Sequence, residues 1–190
     1  MIMQSFNEGN NNSATLPPRP DGPLLNSFDF NKRESCMPIE VLGVEHLDLT
    51  VNDLQLSLPF YAKVLEYLGF RRVAHESYIA WSNGHLVIGF RAAPPEEKGA
   101  TFNRYRVGLH HLALRAKSRE DVDKFYQFLT QEGVTILDPP AEYPQYGPNY
   151  YAVFFADPDG MKLEFVHFPW GYWRQVQTRG RDERPRYAPD

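Results

Sequence analysis

The chain has 190 residues, 42% of them hydrophobic, and a formal net charge of −4 at neutral pH, long enough to bury one substantial core. Its basic residues are scattered, not gathered into a stripe, which argues against a nucleic-acid partner. No apolar run approaches the roughly 20 residues of a membrane helix, and the first thirty residues have neither the basic start nor the apolar core of a signal peptide, so a cytoplasmic protein without a membrane partner is expected. A single cysteine, Cys36, precludes an internal disulfide and a cysteine-rich zinc site. Any bound metal must then be held by nitrogen and oxygen.

Residues 1–37 are rich in Asn and Pro, as in Asn10 to Asn12 and Pro17-Pro18-Arg19-Pro20, a composition that buries too little surface to offset ordering entropy. They are expected to be a flexible N-terminal arm. The body of the domain spans 38–169, divided into modules at about 38–95 and 105–169, because the sequence repeats itself there. Glu45-His46-Leu47-Asp48-Leu49 matches His110-His111-Leu112-Ala113-Leu114, and Phe60-Tyr61 and Phe125-Tyr126 each stand fourteen residues after the aligned histidine. Both aromatic pairs open amphipathic runs with apolar spacings of three and four, ending at Gly69 and Gly133, the pattern of a helix with a C-terminal glycine cap. Ser118-Arg119-Glu120-Asp121 marks the start of the second helix, the serine oxygen accepting from a free backbone N–H.

Strand-like segments follow each helix: Leu86 to Phe90 in the first copy, Tyr151 to Phe155 and Met161 to Phe168 in the second. Asp157-Pro158-Asp159-Gly160 between the last two has the composition of a hairpin turn. The fold class is therefore α+β: two βαβββ modules pairing curved mixed sheets into an open, cup-like barrel, with the cleft inside and the helices outside. The C-terminal extension, residues 170–190, mixes aromatic residues with Arg174, Arg179, Arg181, Arg184 and Arg186. It is expected to drape over the domain or to contact a second subunit.

Strand alternation decides which side chains meet. Leu47, Leu49 and Val51 belong under the first helix, which turns His46, Asp48 and Thr50 to the cleft. By the same parity Leu112 and Leu114 lie under the second helix, with His111, Ala113 and Arg115 opposite. In the last strand Leu163 and Phe165 are the helix-side pair and Glu164 faces the cleft. His46, His111 and Glu164 are thus the predicted metal ligands, a set suited to one divalent ion such as Fe(II), Mn(II), Ni(II) or Zn(II). Such an ion would keep positions open for two neighbouring oxygens of a substrate. His110 has the opposite parity and is expected to be a hydrogen-bonded structural group, and His85 a rim or turn residue. The segment Pro139 to Tyr151, dense in proline and tyrosine, is expected to be a loop forming the substrate wall. Tyr143, Tyr146 and Tyr150 are its candidate substrate-binding residues, and Arg115 is a fourth. No residue is assigned a catalytic role.

These stretches resemble the vicinal-oxygen-chelate superfamily, which includes glyoxalase I, extradiol dioxygenases, methylmalonyl-CoA epimerases, fosfomycin-resistance transferases and bleomycin-binding proteins. The resemblance covers about Ile39 to His167 and is carried by Val44-Glu45-His46-Leu47, by Gly108-Leu109-His110-His111-Leu112-Ala113-Leu114 and by the run from Phe155 to Glu164. It implies a metal-dependent enzyme acting on a small oxygenated molecule by extradiol dioxygenase-like chemistry or a related glyoxalase-type lyase or isomerase reaction. The alternative is a non-catalytic small-molecule binder of the bleomycin-resistance type; a metal-stabilised scaffold that binds protein through its arms is a third reading. Members with four protein ligands add a Glu or Gln from the last strand of the first module. The aligned residue here is Gly89 or Ile88, neither a ligand, which leaves the triad like that of extradiol dioxygenases and fosfomycin-resistance enzymes. The family closes its clefts either within one chain or between the chains of a dimer, so a homodimer is a possible partner state.

Overall fold

A computed structural model describes residues 41–169; the expected N-terminal arm and C-terminal extension lie outside them. Two copies of one unit follow each other. The first comprises β1 (His46–Val51), α1 (Leu54–Tyr67), β2 (Arg71–Arg72), β3 (Ile79–Ser82) and β4 (Val87–Ala92). After a short 3₁₀ turn at Pro95–Glu97, the second comprises β5 (Leu112–Arg115), α2 (Arg119–Gln131), β6 (Ile136–Glu142), β7 (Tyr151–Ala156) and β8 (Lys162–His167). Each unit forms a four-stranded mixed sheet, ordered β1-β4-β3-β2 and β5-β8-β7-β6. The first strand of each runs parallel to the last, and the remaining pairs are antiparallel. The sheets do not close into a barrel, and β1 and β5 are edge strands. No described helix is long and apolar enough to cross a membrane.

The helices are set by their caps. The Ser118 hydroxyl accepts from the Asp121 N–H at 3.1 Å, as the sequence predicts. The first helix begins six residues before the aromatic pair that signals it, because the Asp53 carboxylate accepts from the Gln55 N–H and caps it there. Gly133, just past α2, takes φ +69°, a left-handed conformation that glycine adopts without a Cβ penalty. One correction concerns Pro139 to Glu142, expected in a loop: they form the second half of β6. Two register shifts along β6 relieve the missing proline N–H groups, and its place at the sheet edge leaves that side unpaired.

A single apolar core runs under both helices, from Leu49, Val51, Tyr61 and Leu65 to Phe125, Leu129, Phe155 and Phe165. Polar contacts lock the modules together over it. The Tyr61 hydroxyl donates to Asp157 Oδ2 at 2.7 Å, and the Asn52 side-chain amide donates to Asp159 Oδ1 at 2.9 Å. The Tyr67 and Phe128 rings stack at 3.9 Å. Burial raises the Asp157 carboxyl above its ordinary range, against the lowering pull of the Tyr61 and Met161 hydrogen bonds. A raised acid contributes stability that is present below its unfolded pKa and is lost as pH rises through the folded value.

The Tyr61→Phe variant should therefore lose about 2 kcal/mol at neutral pH, where the buried carboxylate forfeits a charge-assisted bond. The loss should shrink toward pH 4 as the carboxyl protonates. Urea unfolding at the two pH values measures both; an equal loss at each would contradict the account.

Candidate metal centre

In β1 the burial pattern matches strand parity, with Leu49 and Val51 buried against α1 and His46, Asp48 and Thr50 exposed on the open face. In β5 Leu112 and Leu114 are the more sheltered set, and Ala113 and Arg115 are exposed. His111 stands one residue before β5. Its Nε2 lies 3.0 Å from Oε2 of Glu164, whose side chain is 1% exposed. The two donor atoms that would share an ion already face each other.

The neighbours of this pair are oriented. The Tyr150 hydroxyl donates to the other carboxylate oxygen, Oε1 of Glu164. On the imidazole side, Nδ1 of His111 and Nδ1 of His110 are 2.7 Å apart, one donating and one accepting. That contact holds the His111 ring with Nε2 turned toward Glu164, the kind of second contact that orients a metal-binding histidine. His110 is thus the hydrogen-bonded group that parity predicts.

The three predicted tyrosines come together. Their rings lie 5.9 Å (Tyr143–Tyr146), 5.3 Å (Tyr146–Tyr150) and 6.4 Å (Tyr143–Tyr150) apart. They cover the open face of the second sheet, where Ala152, Phe154, Val166 and Phe168 make a second small core with Tyr143 and Tyr150 packed on it. That cover explains how a carboxylate on the cleft side becomes fully buried. Burial, followed by the effect of Glu164, holds the Tyr150 phenol above its ordinary range, so it acts as the donor in their bond. Arg115 is anchored at the strand end, its Nη1 donating to the Phe168 carbonyl at 2.8 Å.

His46 is the exception. Among the described residues, no group of three or more His, Cys, Asp and Glu side chains gathers in a metal-binding arrangement, so His46 does not join His111 and Glu164 within one chain. It is exposed at the start of the edge strand β1.

The position of a fourth ligand is settled by register. Asp48 pairs with Gly89 across β1 and β4 as Ala113 pairs with Glu164 across β5 and β8, so Gly89 is the counterpart of Glu164. A Cβ on Gly89 would meet Asp48 Oδ1 at 2.2 Å and the Tyr78 hydroxyl at 2.4 Å. Those two groups are hydrogen-bonded at 2.7 Å, with the Arg91 Nε 3.4 Å from the other Asp48 oxygen. The Tyr78 hydrogen bond, with a smaller pull from Arg91, keeps the Asp48 carboxyl below its ordinary range despite partial burial. The space a fourth ligand would need is filled by a tyrosine–aspartate pair. Sequence comparison of the repeats leaves Gly89 or Ile88 and does not point to Tyr78, which precedes β3 with no counterpart motif.

Replacing Gly89 by Ala should push the Asp48 and Tyr78 ends apart. Loss of their hydrogen bond costs about 1 kcal/mol, readable in urea unfolding; Gly89→Ala in a Tyr78→Phe background should then cost clearly less. Equal costs in the two backgrounds would show that the close approach does not matter.

The Glyoxalase/Bleomycin resistance protein/Dioxygenase superfamily profile matches residues 43–165. YqjT of Bacillus subtilis is 33% identical over 124 residues, covering 65% of this chain and 97% of that protein. The metallothiol transferase FosB of Staphylococcus epidermidis is 28% identical over 126 residues, covering 66% and 82% of the respective chains. A crystal structure of a candidate glyoxalase from Bacillus halodurans, 34% identical, superposes with a TM-score of 0.57 over 66% of this chain and 95% of that one. With a profile match across both modules and a shared fold, this chain belongs to the Glyoxalase/Bleomycin resistance protein/Dioxygenase superfamily.

Proposed function

We propose that this protein is a metal-dependent enzyme for a small oxygenated substrate, with each metal centre assembled between two copies of the chain. The observation that carries the reading is the Glu164–His111 pair, a buried carboxylate oxygen and an imidazole nitrogen 3.0 Å apart, flanked by groups that orient both. A nitrogen and oxygen donor set of this kind fits Fe(II), Mn(II), Ni(II) or Zn(II).

The third donor, His46, comes in this reading from a second subunit. Among the described residues both β1 and β5 are edge strands with one side unbonded, and His46 and His111 sit at their starts. Exposed apolar side chains lie just before both strands: Val44 ahead of β1, and Tyr105, Val107 and Leu109 ahead of β5. Apolar surface beside an open strand edge favours association with a matching edge. A two-fold pairing of β1 with the partner's β5 would create two equivalent sites at once.

A divalent ion so held supplies Lewis acidity, which acidifies a bound hydroxyl and stabilises negative charge on neighbouring oxygens. The chain supplies the rest. Tyr143 and Tyr146 offer a flat apolar wall beside the donors, and Arg115 stands at its rim. Without a fourth protein ligand from Gly89, coordination positions of the ion would stay open for two substrate oxygens. Ring cleavage of a catechol by dioxygen, which inserts both its oxygen atoms, and lyase or isomerase chemistry on a hydroxycarbonyl compound both suit such a site. The likeness to FosB adds a third reaction, addition of a thiol to an electrophilic carbon. The competing reading, a binding protein without catalysis, draws on the aromatic wall alone and predicts ligand stabilisation indifferent to chelators.

Purified without chelator, the wild-type chain should carry about one metal ion and sediment at twice its 22.0 kDa mass. His46→Ala, His111→Ala and Glu164→Gln should each bind little. Unfolding and refolding His46→Ala together with Glu164→Gln should restore metal binding to roughly a quarter of sites, because half the dimers are mixed and each mixed dimer has one intact triad. Negligible metal in the wild type ends the metalloenzyme reading; no recovery in the mixture ends the shared site. Assays with catechols, hemithioacetals and thiol-plus-epoxide pairs then separate the three chemistries.

A further inference from the structure

Resting on the metal-centre reading, we infer that Tyr150 is a positioning residue that confines Glu164 to coordination through one oxygen. Its hydroxyl donates to Oε1 of Glu164, leaving Oε2 turned toward Nε2 of His111. A carboxylate can grip an ion with one oxygen or two. Here the two-oxygen grip would require Oε1 to turn toward the ion, away from the position in which the Tyr150 hydroxyl holds it, and it would occupy a coordination position that the substrate needs.

The surroundings make Tyr150 stiff enough for this task. Its backbone closes the turn between β6 and β7, with the Tyr143 N–H donating to the Tyr150 carbonyl at 2.9 Å and the Tyr150 N–H donating to the Gly147 carbonyl at 3.4 Å. Its ring is packed between Tyr146, at 5.3 Å, and Phe168, at 5.1 Å. The half-buried ring cannot follow the carboxylate if it swings, so the hydroxyl defines where Oε1 must lie. Although Tyr150 belongs to the aromatic wall, its polar end serves the ligand and not the substrate.

The Tyr150→Phe variant tests this in the full chain, because it keeps the ring and removes only the hydroxyl. Titration with Mn(II) and Co(II) should show affinity falling about tenfold, within the range seen when the hydrogen-bond partner of a metal ligand is lost. The visible spectrum of the Co(II) form should change in band position and intensity as Glu164 adopts a second bond to the ion. Tyr151→Phe is the matched control: its hydroxyl donates to Asp123 at 2.7 Å, off the site, so the same deletion should leave affinity and spectrum as in the wild type. Unchanged affinity and an unchanged Co(II) spectrum in Tyr150→Phe, with the wild type binding metal normally, would overturn the positioning role while sparing the metal centre. A wild type that binds no more Co(II) than His111→Ala would overturn both. A lower melting temperature of the metal-free variant, without any change in Co(II) binding, would also count against the inference, since a merely structural tyrosine gives that result.

Discussion

Asp157 is the group on which the arrangement of the two modules depends. One carboxylate oxygen closes the hairpin before β8 by accepting from the Asp159 and Met161 N–H groups, at 2.9 and 2.7 Å. The other accepts from Tyr61 on α1, in the opposite module. A carboxylate 7% exposed would be costly without such partners, and these partners come from both halves of the chain. The modules are therefore held helix beside helix, over a core shared by both. That packing occupies their helical sides and leaves the open sheet faces and the β1 and β5 edges as the surfaces on which function can be built.

The repeats diverge at one position more than at any other. Gly89 and Glu164 occupy the same place in their sheets, yet one lacks a side chain and the other is the most deeply buried carboxylate described. The consequence spreads to the neighbours. Opposite Gly89 the first module has Asp48, which reaches into the cleared space to meet Tyr78; opposite Glu164 the second module has Ala113, which reaches nowhere. Each sheet thus carries one carboxylate and one tyrosine hydroxyl on its open face, but on different strands and with different exposure. The first pair is 31% exposed at Asp48 and balanced by Arg91, the second sealed beneath an aromatic cover. The repeated sequence accounts for the common frame, and Gly89 leaves the first module without a carboxylate at the register position that Glu164 fills in the second.

Strand parity carried much of this from the sequence. The alternation of Leu47, Leu49 and Val51 with His46, Asp48 and Thr50 needed only period two, and Ser118 with its following acids needed only capping chemistry. The repeat narrowed the missing ligand to Gly89 or Ile88, and only the strand register chose Gly89. What failed was β6: Pro139 and Pro140 have the composition of a loop, and a strand tolerates them only at an edge with shifted register, a property of sheet order that no local pattern encodes. Tyr78 and the Tyr150–Glu164 bond were also hidden, because each joins residues whose contact depends on which strands lie side by side. The separation of His46 from the other two donors was hidden for a further reason. Parity fixes the face a residue occupies but not whether two faces belong to one cup.

That separation has an energetic logic within the proposed assembly. Glu164 and His111 are held by Tyr150 and His110, so they would lose little freedom on binding an ion. His46 is exposed on an edge, and its ordering is deferred. In that assembly His46 would reach an ion held by Glu164 and His111 only when a second chain docks, and metal binding and association would then favour each other by linkage. The same coupling would apply twice in a symmetric pair, since each chain would offer His46 to its partner while receiving the partner's imidazole. Association would then be stronger in the presence of the ion than the exposed Val44, Tyr105, Val107 and Leu109 could make it alone, and the open coordination positions would face a cleft that exists only in the assembled state.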